Sequence, residues 1–143
     1  MLDLPDKALS IRQPWAWAII NEGKSIENRS RRFNYRGPIC IHASLYKPRP
    51  HDYQACFDVL DTIHGNLTML EVARQQGRQA SAYTSHDSAR GYIIGTATIV
   101  DCVDTHDSPW FFGPWGLVLA DVKPVEHIPV RGRLGLFDWR SRL

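Results

Sequence analysis

LSIRQPWAWAIINEGKSIENRSRRFNYRGPICIHAS occupies residues 9–44 and mixes charged, aromatic and turn-forming residues more densely than the rest of the chain. Its first residues, Leu9 to Arg12, form a strand-like run. Pro14 suits the first turn of a helix, where a missing N–H costs little, and Gly23 suits a left-handed C-terminal cap. The pattern therefore predicts one two-turn helix from Trp15 to Glu22.

One side of this predicted helix is apolar. The apolar residues at helical spacing are Trp15, Ala16, Ile19 and Ile20. We expect them to face the core, which leaves Trp17 towards the flank. Lys24 follows the helix end, where a cation offsets the partial negative charge of the last carbonyl groups by about 0.3–1 kcal/mol.

The segment after this helix is predicted to be a strand. Alternation places four polar residues on one of its faces, namely Ser25, Glu27, Arg29 and Arg31. A carboxylate therefore lies between cations, close to Lys24. In the next strand, Ile39, Ile41 and Ala43 alternate with His42, which is expected on the opposite face. A lone strand histidine is more often structural than functional, so His42 is a weaker candidate for contacting a base or phosphate.

The charge of the chain is mildly basic but unevenly distributed. The formal net charge is +2 and the isoelectric point is about 8.5, below what bulk attraction to duplex DNA usually requires. The cations cluster at Arg29, Arg31, Arg32, Arg36, Lys47 and Arg49, and again at Arg131, Arg133, Arg140 and Arg142. Such clusters fit a local phosphate-binding surface, and equally a solvated face with salt-bridged arginines.

The rest of the chain continues a pattern of helices and strands. A helix opening near Pro50 has the core-facing stripe Tyr53, Cys56, Phe57 and Leu60. A second helical stretch follows over residues 67–76, and residues 78–90 predict a long mobile loop. Residues 91–103 predict a central strand with a bulge or close approach at Gly95. A strand over residues 115–120 is expected to extend past Pro124 only at a sheet edge.

Composition indicates a single domain over residues 1–143, with 43% hydrophobic and 22% charged residues. No apolar run approaches the roughly 20 residues that span a bilayer, so no membrane partner is expected. Residues 1–8 lack an apolar signal core, which favours a cytoplasmic protein. The three cysteines never occur in C-x-x-C spacing and are expected to be reduced core thiols. No nucleotide-binding glycine motif is present, and no metal or cofactor is predicted.

Three motifs resemble those of the ASCH domain, the activating-signal-cointegrator homology domain of the PUA-like superfamily. They are SIRQPWA at residues 10–16, GKSIENR at residues 23–29 and YRGPICIHAS at residues 35–44. Residues 91–102 and 115–119 resemble its central and late strands. The resemblance implies an α+β fold, a PUA-like small mixed β-barrel with helices packed around it and a cleft beside the first helix. It also implies ligands among RNA or modified nucleosides.

The family resemblance implies more than one activity. Some small bacterial members are amidohydrolases of acylated cytidine that use a threonine, a lysine and a glutamate. Lys24 aligns with that lysine, but Glu27 stands where those enzymes have the threonine, and Ser25 is out of place. Other members are ribonucleases or DNA-binding modules. The eukaryotic coactivator branch has a glutamate followed two residues later by an arginine, as Glu27 and Arg29 are here.

Three hypotheses follow for the function. In the first, the protein binds RNA or single-stranded nucleic acid, or a nucleoside-like ligand, in the basic cleft. The contact residues would then be Arg12, Gln13, Trp15, Lys24, Arg29, Arg31, Lys47 and Trp110. In the second, it is a hydrolase of RNA or a modified nucleoside, with Lys24 as base, Glu27 orienting Lys24 or positioning water, and Arg29 holding the substrate anion. In the third, Glu27 and Arg29 form a buried structural ion pair. The oligomeric state is left open.

The aromatic run Trp110-Phe111-Phe112, flanked by prolines, has two interpretations of its own. It is either a hydrophobic plug for the barrel or a stacking platform for bases. A stacked base would contribute about 1–3 kcal/mol of binding free energy. The plug is the favoured interpretation.

Overall fold

The computed structural model describes residues 3–65 and 89–143. The strands are β1 Lys7–Ile11, β2 Ile26–Arg29, β3 Gly37–Ala43, β4 Tyr92–Val103, β5 Trp115–Pro129 and β6 Leu136–Asp138. The helices are α1 Trp15–Asn21 and α2 Pro50–His64, and a 3₁₀ turn covers Arg140–Arg142. The predicted helical stretch over residues 67–76 lies outside the described residues, as does most of the predicted loop over residues 78–90.

The strands form one mixed sheet in the order β2-β5-β4-β3-β1-β6. β1 and β3 run parallel, and the other neighbouring pairs are antiparallel. The sheet curls into a half-barrel with the two helices packed against it. This architecture confirms the predicted α+β class and the barrel-like sheet. None of the described helices is long and apolar enough to cross a membrane.

Helix α1 lies between two parts of the core. Ala16 and Ile19 pack with residues of the sheet, whereas Trp17 packs with Phe57 of α2. The prediction that Trp17 would lie at the flank is wrong, because its side chain is only 2% exposed. The prediction assumed that α1 has a single buried face. Residues of α2 pack against a second face of α1, the one that carries Trp17. Ile20, predicted within the buried stripe, is only partly buried.

Strand β4 comes unusually close to α1 at Gly95. A Cβ atom at this position would lie 2.3 Å from Ile20 Cδ1 and 2.6 Å from the carbonyl oxygen of Lys123. The register against β5 also shifts between Ile93 and Gly95, as the sequence predicts. Only a residue without a side chain fits here. Beyond Leu119, β5 pairs with β4 alone among the described strands, so Pro124 lies at an edge.

The three cysteines are buried thiols that form no disulfide with one another. Cys40 donates to the carbonyl oxygen of Pro5 over 3.3 Å. Burial raises the pKa of the Cys40 thiol to about 11. At neutral pH it is therefore a protonated core residue, as the sequence predicts, and a poor nucleophile.

Candidate functional site

A cleft of about 470 Å³ opens beside the N-terminal end of α1. Its walls come from β1, α1, β2 and the segments that follow β3, β4 and β5. The lining residues are Ser10, Arg12, Trp15, Lys24, Glu27, Asn28, Arg29, Ser30, Ser44, Phe112 and Leu134. We call the paired charges Lys24, Glu27 and Arg29 the cleft floor. Arg12 and Phe112, which are more exposed, are called the cleft mouth.

The turn after α1 places Lys24 in the cleft floor. Helix α1 ends at Asn21, and Gly23 adopts a left-handed φ of 67°. This turn lets the backbone N–H of Lys24 donate to the carbonyl oxygen of Ala18. The side chain of Lys24 is 1% exposed, and its ammonium group donates to the carbonyl oxygen of Ile26 and to Glu27. Lys24 is thus a buried cation within the site, and its ammonium partners are in β2.

Glu27 lies between two cations, as the alternation of β2 predicts. Its Oε1 is 3.1 Å from Lys24 Nζ, and its Oε2 is 3.1 Å from Nη2 of Arg29. The same Nη2 donates to the backbone carbonyl oxygen of Ser10 over 2.7 Å. Glu27 is 7% exposed. Both of its oxygens have a cationic partner, which balances the cost of burying the carboxylate.

Burial in the floor changes the acidity of the Lys24 ammonium group. Burial lowers the pKa of Lys24 from its ordinary value of 10.5, because the charged ammonium loses water. The carboxylate of Glu27 acts in the opposite direction and favours the charged form. A lysine with a lowered pKa gives up its proton more readily than a surface lysine, and this is a requirement for a lysine that acts as a base.

An aromatic wall stands beside the charged floor. The rings of Trp15 and Phe112 meet edge to face with centroids 5.6 Å apart. Phe112 is 54% exposed, and Lys24 Nζ lies 5.7 Å from the Trp15 ring. The site therefore offers flat apolar surface next to hydrogen-bonding groups.

Asn28 fixes the loop that carries Phe112. Its Nδ2 donates to the carbonyl oxygen of Trp110 over 2.9 Å. Its Oδ1 accepts from the backbone N–H groups of Phe112, at 2.8 Å, and Gly113, at 3.1 Å. One amide side chain thus ties β2 to the loop between β4 and β5.

Trp110 lies behind the aromatic wall. It is 3% exposed, packs in the same core cluster as Trp17, and meets Trp15 edge to face at 6.4 Å. Two residues of the aromatic run therefore have different roles. Trp110 packs in the core as the predicted plug, and Phe112 lines the cleft.

Arg12 lies at the cleft mouth. Its guanidinium carbon is 4.2 Å from the centroid of the Tyr46 ring. The Tyr46 hydroxyl donates to Oδ2 of Asp52 over 2.9 Å, and the same oxygen accepts from the backbone N–H of Arg49 at the start of α2 over 2.7 Å. The hydrogen bond to Asp52 raises the pKa of Tyr46.

The other residues predicted to contact nucleic acid lie outside the cleft. Gln13 is fully buried, and its Oε1 accepts from the backbone N–H of Trp17 over 2.8 Å, so it braces the first turn of α1. Arg31 and Lys47 are exposed. Neither lines the cleft, but Arg31 follows Ser30, which does.

His42 lies behind the site and not in it. It is fully buried, and its Nε2 is 2.8 Å from the carbonyl oxygen of Val130, which can only accept. Nδ1 is then free to accept from the hydroxyl of Ser10 over 3.3 Å. Burial lowers the pKa of His42, so the ring is neutral at physiological pH.

Six lining residues were not chosen from the sequence. They are Ser10, Asn28, Ser30, Ser44, Phe112 and Leu134. Asn28 and Ser30 are direct neighbours of selected residues and Ser10 lies two positions before Arg12, so proximity in sequence could have found them. Leu134 belongs to the chain between β5 and β6, and only the strand order brings it to the cleft. Across residues 3–65 and 89–143, no group of three or more His, Cys, Asp or Glu side chains is arranged to hold a metal ion.

Comparison with known proteins gives one family. The model of the ASCH domain matches residues 9–128. This range contains the cleft-lining residues with the exception of Leu134. No curated protein matches the chain significantly.

Proposed function

Since the chain belongs to the ASCH domain family, whose PUA-like fold is often associated with RNA binding, we propose that it binds single-stranded RNA. One unstacked base enters the cleft, and the neighbouring phosphates lie over exposed cations around it. Single-stranded RNA is commonly recognised in this way, by bases stacked on aromatic rings and hydrogen-bonded along their edges.

The observation that carries this proposal is the pairing of an aromatic wall with a polar floor. Trp15 and Phe112 provide apolar surface for a base. Lys24 offers a donor and Glu27 an acceptor to the base edge. A volume of about 470 Å³ lies within the range of about 300–1,000 Å³ that is typical of small-molecule sites. It therefore suits one nucleoside unit and is too small for a duplex.

Exposed cations near the cleft support contacts to the phosphate backbone. Arg12 lines the cleft itself, Arg31 follows the lining residue Ser30, and Arg133 precedes the lining residue Leu134. Each phosphate that such a cation neutralises releases counterions and makes affinity depend on salt. A net charge of only +2 means that binding depends on this local arrangement.

The test is a titration with one sequence as single-stranded RNA, single-stranded DNA and duplex RNA. We expect the single strands to bind more tightly than the duplex, and Phe112→Ala to weaken binding of the single strands. Val100→Ala is the matched control, since Val100 is exposed and lies outside the cleft. Equal affinity of the parent for the three ligands, or an unchanged affinity of Phe112→Ala, would contradict the proposal.

A second candidate function is supported by the buried lysine. Lys24 is 1% exposed and contacts Glu27 in an open cleft. A neutral amine there can take a proton from water or a hydroxyl group, Glu27 can orient it, and Arg29 can hold an anionic oxygen. The protein would then be a hydrolase of RNA or of a modified nucleoside.

Turnover assays separate this candidate from binding alone. RNA oligonucleotides and acylated nucleosides serve as substrates. A hydrolase of this kind should gain activity as pH rises through the lowered pKa of Lys24, and Lys24→Ala should lose it. Lys123→Ala is the control, because Lys123 is exposed on β5 and outside the cleft. Binding without turnover by the parent protein would rule the candidate out.

A further inference from the structure

We infer that the cleft takes a phosphorylated nucleoside, with its phosphate on Arg12 at the cleft mouth and its base on the cleft floor. This inference rests on the proposed function and names the class of ligand unit that fills the same site. It follows from the contact that holds Arg12, from its lack of polar partners among the described residues, and from the paired charges of the cleft floor.

Arg12 is held in place although it is exposed. Its guanidinium carbon lies over the ring of Tyr46, 4.2 Å from the ring centroid, a cation–π contact that restricts the side chain. The ring is fixed in turn, because the Tyr46 hydroxyl donates to Asp52 and the Tyr46 backbone N–H donates to Oγ of Ser44, which lines the cleft. A long surface side chain usually loses rotamer freedom when it binds a ligand. Here the protein has already restricted it.

Among residues 3–65 and 89–143, no side chain or carbonyl group forms an ion pair or hydrogen bond with the guanidinium donors of Arg12. Arg29 differs, since its Nη2 contacts both Glu27 and Ser10. Arg36 and Arg140 also have carboxylate partners, Asp101 and Asp6. A planar cation with free N–H groups at the edge of a cleft suits a phosphate group, which accepts two parallel hydrogen bonds.

The charge of the cleft floor sets the direction in which the ligand lies. In the cleft floor, Lys24 and Arg29 already contact the carboxylate of Glu27, so a phosphate would have to compete with Glu27 for them. The oxygens of Glu27 can also accept N–H groups from a base edge. Lys24 beside it can donate to a ring nitrogen or carbonyl group. The phosphate end is therefore favoured at Arg12, and the base end is favoured at Lys24 and Glu27.

Calorimetric titration of nucleosides and nucleotides tests the inference. The four ribonucleosides, their 5′- and 3′-monophosphates and inorganic phosphate are titrated into the parent, Arg12→Ala, Tyr46→Leu and Lys123→Ala. We expect the parent to bind at least one monophosphate about tenfold or more tightly than its nucleoside, the gain typical of hydrogen bonds to a charged group. Arg12→Ala should lose this preference and keep its affinity for the nucleoside. Tyr46→Leu should lose part of the preference for the monophosphate, and Lys123→Ala should keep all of it.

Three results would overturn the inference. These are equal binding of nucleosides and monophosphates by the parent, an equal loss of both in Arg12→Ala, and binding of inorganic phosphate as tight as that of the monophosphates. If single-stranded RNA still binds through Phe112 in any of these cases, the proposed function stands without the phosphate position. If neither RNA nor any nucleoside binds, both fail.

Discussion

The cleft floor and the cleft mouth each contain an arginine, and the two arginines differ in burial and in partners. Arg29 in the floor is mostly buried and bound to Glu27 and Ser10. Arg12 at the mouth is exposed and rests on one aromatic ring. Removing a member of the floor leaves a buried charge without a partner, so floor variants change stability as well as binding. Removing a member of the mouth disturbs little packing, so mouth variants report on the ligand.

The largest effect is expected at the centre of the floor. Glu27→Ala leaves Lys24 and Arg29 facing each other without a carboxylate, and should lower the free energy of unfolding by about 3–5 kcal/mol. Urea denaturation followed by circular dichroism measures this. Glu126→Ala, which removes an exposed carboxylate of β5, is the matched control. A loss below about 1 kcal/mol, with ligand affinity abolished, would show that Glu27 serves the ligand and not the fold.

At the cleft mouth, we expect a small effect on stability and a large effect on binding. Phe112→Ala should change the free energy of unfolding by less than about 1 kcal/mol, because the ring is 54% exposed. Its effect on binding of single-stranded RNA should be about 1–3 kcal/mol, the contribution of one stacked base. A thermal melt and a titration on the same preparation measure both. A large loss of stability would show that the Phe112 side chain supports the fold. It would contradict the prediction that mouth variants affect binding and not stability.

The sequence predicts the floor better than the mouth for a physical reason. Glu27 and Arg29 lie on one face of β2 by alternation, and the short turn at Gly23 brings Lys24 beside them. Phe112 and Leu134 reach the cleft through the strand order, which local periodicity does not encode. Trp17 was misplaced for a similar reason, because its burial depends on α2. Alternation also predicts Arg31 on the same strand face as Glu27 and Arg29, but β2 ends at Arg29 and Arg31 does not line the cleft.

The pH dependence of stability separates the buried lysine from the rest of the floor. Because the folded state lowers the pKa of Lys24 from 10.5, the unfolded chain binds this proton more tightly. The contribution of Lys24 to the free energy of unfolding should therefore increase as pH rises from the lowered pKa towards 10.5. It should decrease as pH falls through the same range. Denaturation of the parent and of Lys24→Met between pH 7 and 10 measures the difference. A parallel pH dependence in the two proteins would contradict the assignment.

The smallest effects are expected at the cations outside the cleft. Arg31→Ala and Lys47→Ala should each weaken RNA binding for all sequences and reduce the salt slope by about one counterion, if each contacts one phosphate. Titrations at several salt concentrations give the slope. Neither change should affect stability, since both side chains are exposed. If the salt dependence of binding is unchanged in both variants, neither Arg31 nor Lys47 contacts a phosphate. Phosphate contacts would then be limited to residues near Arg12.

The amide of Asn28 has a consequence for how this site can vary. It binds one carbonyl group and two N–H groups of the segment from Trp110 to Gly113, so it holds the backbone at residue 112 without contacting the Phe112 side chain. The side chain at position 112 can therefore be replaced while the backbone keeps its position. Such a replacement can alter the ligand preference of the cleft without a change in the sheet.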